Sequence, residues 1–123
     1  VTPEGYAQSV RIQSENYRTI YVSGQLPLNA QGELVGRGDL EKQTAQVFLN
    51  IEQELDARVD GLNNLVSITC YLTDASQMEA FRRGRDRMLD PESPPSSTVV
   101  FVDELAEEGA MVMVSAVAVL PVW

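Results

Sequence analysis

Ala110-Met111-Val112-Met113-Val114-Ser115-Ala116-Val117-Ala118-Val119-Leu120 is the stretch whose reading decides the fold. Read as a strand, it sends Met111, Met113, Ser115, Val117 and Val119 to one face and Val112, Val114, Ala116, Ala118 and Leu120 to the other, because successive side chains of a strand alternate. Both faces are largely apolar, and a strand of that kind is normally covered on both sides. Another strand is expected just upstream, about Ser97 to Val102, joined to it by the acidic turn Asp103 to Gly109.

Further upstream, Leu65 to Leu72 reads as another strand, with Val66, Ile68, Cys70 and Leu72 on one face and Ser67, Thr69 and Tyr71 on the other. Asp74 with Gln77 three residues on forms a capping-box pattern for a helix whose stripe is Met78, Phe81, Met88 and Leu89. Pro91, Pro94 and Pro95 end it. A longer helix is expected from about Leu40 to Arg58, capped by Asp39 and stopped near Gly61. In it Leu40, Thr44, Val47, Phe48, Ile51 and Leu55 recur at three- and four-residue spacing, while Glu41, Gln46, Glu52, Gln53 and Asp56 lie elsewhere. The chain opens with a hairpin: Val10 and Ile12, a turn at Ser14-Glu15-Asn16, then Tyr17 to Ser23. A turn-rich loop through Pro27, Asn29, Gly32, Gly36 and Gly38 follows.

These elements predict one domain, residues 1–123, of the α+β class: a mixed sheet with two helices on one face. Two helices leave the second face bare, and apolar patches of that size are rare on monomers, so a second copy of the chain is the simplest cover. A closed single-chain barrel is the alternative, disfavoured by so few strands.

Composition narrows the chemistry. The 123 residues are 44% hydrophobic and 22% charged, enough for a core without disulfides or metal. There is no histidine and one cysteine, which excludes Ser-His-Asp and Cys-His nucleophiles and the usual zinc sets. Acid–base work would fall to carboxylates, tyrosine, arginine, backbone or held water. A formal charge of -9 repels phosphates, so no nucleic-acid partner is expected. No run approaches the roughly 20 apolar residues of a membrane span, and no signal peptide is evident. A lone cysteine makes a reducing cytoplasm the default compartment.

Several strings together resemble the RidA/YjgF family: Tyr21-Val22-Ser23-Gly24-Gln25-Leu26-Pro27-Leu28, Gly32-Glu33-Leu34-Val35, the helix with Gln43-Thr44 and Asn50, Thr69-Cys70-Tyr71-Leu72-Thr73-Asp74, the prolines leading into Ser97-Thr98-Val99, and Ala116-Val117-Ala118-Val119. The resemblance implies a chorismate-mutase-like α+β fold (bacillus type) in which three subunits pack their sheets into a central barrel. It also implies hydrolysis of reactive enamines and imines to carbonyl compounds and ammonia, in clefts between subunits, with no metal or organic cofactor. On the family pattern Tyr6 is the cleft tyrosine, Ser23 and Gly24 line the cleft with backbone, and Thr98 lies where a main-chain carbonyl holds the attacking water. Active members carry an arginine where this chain has Ser96, a glutamate where it has Ser115, and a helix asparagine where it has Arg82. An arginine offers a carboxylate two parallel charge-assisted hydrogen bonds that a serine cannot reproduce. The ligand-binding set is therefore Tyr6, Ser23, Gly24, Arg82, Ser96, Thr98 and Ser115, with the catalytic residues unassigned.

Arg82-Arg83-Gly84-Arg85-Asp86-Arg87 holds four of the nine basic residues. Either Arg82, with or without Arg85, replaces the missing clamp, or the run is a helix end whose cations suit the dipole and pair with Glu79, Asp86 and Asp90. Tyr6 is either a stacking ring or interface packing. Cys70 reads as a buried, inert thiol, and the acidic turn as solvated loop. Three functions follow: a RidA-like deaminase of altered substrate range, a non-catalytic small-molecule-binding trimer, and, weakest, a ribonuclease or translation inhibitor.

Overall fold

The structure is a computed structural model, and it describes residues 5–55 and 61–121. Five strands form one sheet: β1 (Ser9–Gln13), β2 (Tyr17–Gln25), β3 (Leu65–Leu72), β4 (Ser96–Phe101) and β5 (Val112–Pro121). Their order is β1-β2-β5-β3-β4, antiparallel throughout except for the parallel pair β3 and β4. The parallel pair requires a crossover, and α2 (Met78–Met88) supplies it. Helix α1 (Leu40–Leu55) makes the other long connection, and both helices lie on the same face of the sheet.

The core forms between the helices and that face. Leu40, Val47, Phe48, Ile51 and Leu55 of α1 meet Ile20, Val22, Ile68, Cys70 and Leu72, with Val112, Val114, Ala116 and Ala118 at the centre. The final strand thus divides as expected, its even-numbered residues from Val112 to Ala118 buried and its odd-numbered ones half-buried. Asp39 caps α1 by accepting from the Lys42 N–H at 3.1 Å. The expected continuation of this helix to Arg58, with Asp56 on its wet side, lies outside the described residues.

Four sequence expectations are corrected. Val66 does not share the buried face of Ile68, Cys70 and Leu72: a bulge inserts it between Leu65 and Ser67, so Leu65 is buried and Val66 is 47% exposed. The capping box does not form. Asp74 instead caps a short 3₁₀ turn (Ala75–Gln77), accepting from the Ser76 N–H at 3.0 Å, and the Gln77 amide donates to the Asp74 carboxylate at 3.2 Å. Of the α2 stripe only Phe81 is fully buried, alongside Gly84, which packs directly on α1; Met78, Met88 and Leu89 are half-buried at the margins of the core. Finally, β4 runs Ser96–Phe101 and β5 starts at Val112, not Ala110; Met111 instead donates its N–H to the Gln43 side chain at 2.7 Å.

Gln43 was the core residue that apolar periodicity could not find. Fully buried on α1, it donates to the Gly36 and Gly109 carbonyls at 3.1 and 3.0 Å while accepting from Met111. One amide thereby ties two loops to the helix, which satisfies backbone groups that the core would otherwise strand.

Candidate functional site

The face of the sheet away from the helices is uncovered. Direct strand partners point to the same side, so the register assigns this face. Val10 pairs with Tyr21 and Ile12 with Thr19; Tyr21 pairs with Val117. The outer part of the face is apolar and open: Val10 is 51% exposed, Ile12 57%, Tyr17 53% and Tyr21 48%.

Its inner part is hydroxylic. Ser115 pairs with Thr69, and Thr69 pairs in turn with Thr98, so three hydroxyl residues lie side by side on β5, β3 and β4. The irregularity in β2 between Val22 and Gln25 places Ser23 and Gly24 opposite Ser115 on the remaining neighbour. Four of the site residues expected from sequence, Ser23, Gly24, Thr98 and Ser115, therefore fall on one line, on β2, β5 and β4, with Thr69 of β3 between the last two. Thr69 is the member that sequence reading missed, although its alternation with Ser67 and Tyr71 already put it on this face. In the next row Ser67 pairs with Ser96, whose hydroxyl donates to the Val66 carbonyl at 3.0 Å. The Ser23 hydroxyl is engaged by the Ala7 carbonyl at 2.6 Å. Among the described residues, the hydroxyls of Thr69, Thr98 and Ser115 have no hydrogen-bond partner within the protomer.

Gly24 has a packing reason. A Cβ there would stand 2.8 Å from the Met113 sulfur, so glycine leaves room for the Met113 side chain beside the hydroxyl row. On the other side Gly24 borders a cavity of about 280 Å³ between the loop after β2, the polar side of α1 and the segment carrying Tyr6 and Gln8. Tyr6 lines it and is 56% exposed. Its polar wall is made largely of carboxamides, Gln8, Gln25, Asn50 and Gln53, with the Glu54 carboxylate at one end. Gln25 donates to Gln8 at 2.8 Å, and Asn50 holds the loop by donating to the Leu26 and Leu28 carbonyls at 3.0 and 2.9 Å.

Arg82 is carried by α2, and its guanidinium donates to Glu79 one turn back. The other cations of the run are also paired: Arg83 and Arg87 both with Glu41 of α1, at 2.8 and 3.6 Å, and Arg85 with Asp86 at 3.0 Å. Glu41 was not among the partners expected from sequence. Arg85 also lies 6.0 Å from the Phe81 ring centre and lines a second cavity, of about 340 Å³, with Ser97, Leu89 and the prolines. That cavity is on the helix side of the sheet, since Ser97 pairs with the buried Ile68.

Cys70 is buried beneath Ser97 and Arg85. Burial pushes its thiol up to about 11 against the smaller opposing effects of the Ser97 hydrogen bond and the Arg85 charge. At neutral pH it is a protonated core thiol and no nucleophile.

The fold and these positions can be set beside known proteins. The endoribonuclease L-PSP family matches residues 2–120. A RutC family protein of Pyrococcus abyssi is 30% identical over 104 residues, which are 84% of this chain and 77% of that protein. The crystal structure of RidA from an Antarctic Psychrobacter superposes with a TM-score of 0.82 at 27% identity, over 98% of this chain and 92% of that one. A Rid-family protein of Yersinia pestis, YyfA, superposes with a TM-score of 0.81 at 27% identity, over 95% and 89% of the two chains. With the mixed sheet, the paired helices and the Ser23-Gly24 bulge in place, the fold is the chorismate-mutase-like α+β fold, and the chain belongs to the endoribonuclease L-PSP family, that is, the RidA/YjgF family.

Proposed function

We propose that three copies of this chain bury their uncovered sheet faces against one another, and that the seams form small-molecule clefts in which an enamine or imine outside the family's usual range is hydrolysed. In that reaction water adds across the C=N bond, the carbon keeps the oxygen, and ammonia leaves. The observation that carries the reading is the line of Ser23-Gly24, Ser115, Thr69 and Thr98 on an uncovered, apolar-rimmed sheet face. Burial of Val10, Ile12 and Tyr21 between copies would supply the association energy, at about 25 cal/mol per Å² of apolar area removed from water. Tyr6 and the carboxamide cavity at the β2 end would add the partner wall of the cleft.

A second reading, a binding protein that does no chemistry, is favoured by one observation. The register puts no carboxylate and no arginine on that face, so the face itself offers the attacking water no side-chain base stronger than a hydroxyl, and the one carboxylate near the cleft is Glu54 across in the Tyr6 cavity. A ribonuclease role has no comparable support in a chain of charge -9. The lone buried Cys70 suits a reducing compartment, and the reading places the protein in the cytoplasm.

The deciding assay generates imines in situ with an amino-acid oxidase and follows release of the carbonyl product. Turnover above the buffer rate supports the hydrolase, and a folded S96R/S115E double variant should exceed the parent. A parent no faster than buffer replaces the hydrolase with the binder; a folded double variant as inactive as that parent overturns the placement of the site.

A further inference from the structure

Among the described residues, none that forms either half of the candidate site is a cation. On the uncovered face, every side chain that the register assigns from β1, β2, β5, β3 and β4 is uncharged. In the Tyr6 cavity the polar groups are amides, one tyrosine and one carboxylate, with no basic residue in the wall. The described basic residues lie elsewhere. Arg11 and Arg18 are on the helix side of the sheet, as their partners Ile20 and Leu120 show; Arg11 does not line the cavity but abuts its Glu54 end, its guanidinium donating to the Glu54 carbonyl at 2.5 Å and to the Ser9 hydroxyl at 2.9 Å. The α2 arginines are paired with carboxylates, and Arg37 and Lys42 lie around Gly36 and Gly109.

We propose that this site selects uncharged, hydrogen-bonding ligands of the amide or neutral imine class and discriminates against carboxylates. The inference rests on the seam reading above and deepens it. Adjacent strands are about 4.8 Å apart, so Ser115, Thr69 and Thr98 offer three hydroxyls over roughly 10 Å. Each hydroxyl can both donate and accept, which suits a C=O or C=NH group beside an N–H. Each is also unpaired among the described residues, so a ligand would satisfy groups that burial in a seam would otherwise leave without partners. A carboxylate would give up its hydration for neutral donors with no counter-charge, in a protein of net charge -9. The hydroxyl row thus replaces a charge reader with a dipole reader.

The test titrates the purified protein with matched pairs, pyruvamide against pyruvate and butanamide against butanoate, by ligand-observed NMR at constant ionic strength. The oligomer mass is recorded on the same samples. The amide of each pair should bind at least about tenfold more tightly than its carboxylate. A T98V/S115A variant of unchanged mass should lose about tenfold in amide affinity, and S96R should move the preference toward the carboxylate. Carboxylates binding as well as amides overturn the inference. So does an assembled oligomer that binds neither, or amide binding untouched by T98V/S115A; all three leave the assembly itself standing. A lone protomer overturns the seam reading and the inference together.

Discussion

Gly84 sits where two rules of stability oppose each other, so its replacement by alanine is informative. It lies within α2 and is buried against α1. On helix propensity alone Gly84→Ala should stabilise by about 1 kcal/mol. A Cβ there, however, would stand 2.5 Å from the Glu41 carbonyl oxygen and 2.7 Å from the Thr44 Cβ. The first is backbone of α1 and cannot swing aside as a flexible side chain could. Overpacking typically costs 1–3 kcal/mol, and a backbone clash belongs at about 3 or beyond. The net expectation is a loss of about 2 kcal/mol, or roughly 8 °C in Tm for a domain of this size. The separation of the helices would also loosen the Glu41 pairs with Arg83 and Arg87. Thermal and urea unfolding of parent and variant, followed by circular dichroism, check it. A variant as stable as the parent, or more so, would show that the helices do not approach this closely.

Other outcomes follow from the same contacts. Gln43→Leu keeps the bulk but strands the Gly109 carbonyl and the Met111 N–H, whereas the Gly36 carbonyl keeps the Asp39 N–H at 2.8 Å, so Tm should fall by an amount matching about 3 kcal/mol; an unchanged melt would deny the amide its bracing role. Cys70 should resist an aromatic disulfide reagent at pH 8 in the folded protein and react promptly in urea, because burial holds the thiol protonated. Its folded value exceeds the unfolded one, so its contribution to stability is whole at neutral pH and is lost as pH rises from about 9 to about 11; Cys70→Ala should flatten that alkaline decline in a pH series of unfolding curves. Asp74 shifts the opposite way, held below the usual carboxylate range by the Ser76 hydroxyl, then the Ser76 N–H and the Gln77 amide. Its stabilisation is present above the ordinary carboxylate value and lost as pH falls through the lowered one, so Asp74→Ala should blunt the acid limb of the same series.

Much of this architecture could be read from residue patterns. Alternation in Val112 to Leu120 announced a strand with two apolar sides, and the spacing from Leu40 to Leu55 marked the helix that covers one of them. Alternation fails where one residue is inserted, which is why Val66 was assigned to the wrong side: nothing in its own type signals a bulge. Gln43 escaped for a related reason, since a polar side chain in a core is recognisable only from the carbonyls it meets, and those lie 7 and 66 residues away. The site was legible as separate residues but not as a line. Ser115, Thr69 and Thr98 become neighbours only through the pairing of β5 with β3 and β3 with β4, and local sequence does not carry that register. Arg82 could not be placed from helical spacing alone, because its pairing with Glu79 competes with any role in a cleft.

The proposed cleft depends on copies of the chain closing over the uncharged sheet face. Light scattering on the purified protein, extended to micromolar dilution, tests that directly. A mass near three times the 13.6 kDa chain is the expected result, falling when Val117, central on that face, is changed to lysine. A persistent 13.6 kDa species in the parent would contradict the account, because the hydroxyl row would then lie open to water instead of lining a seam.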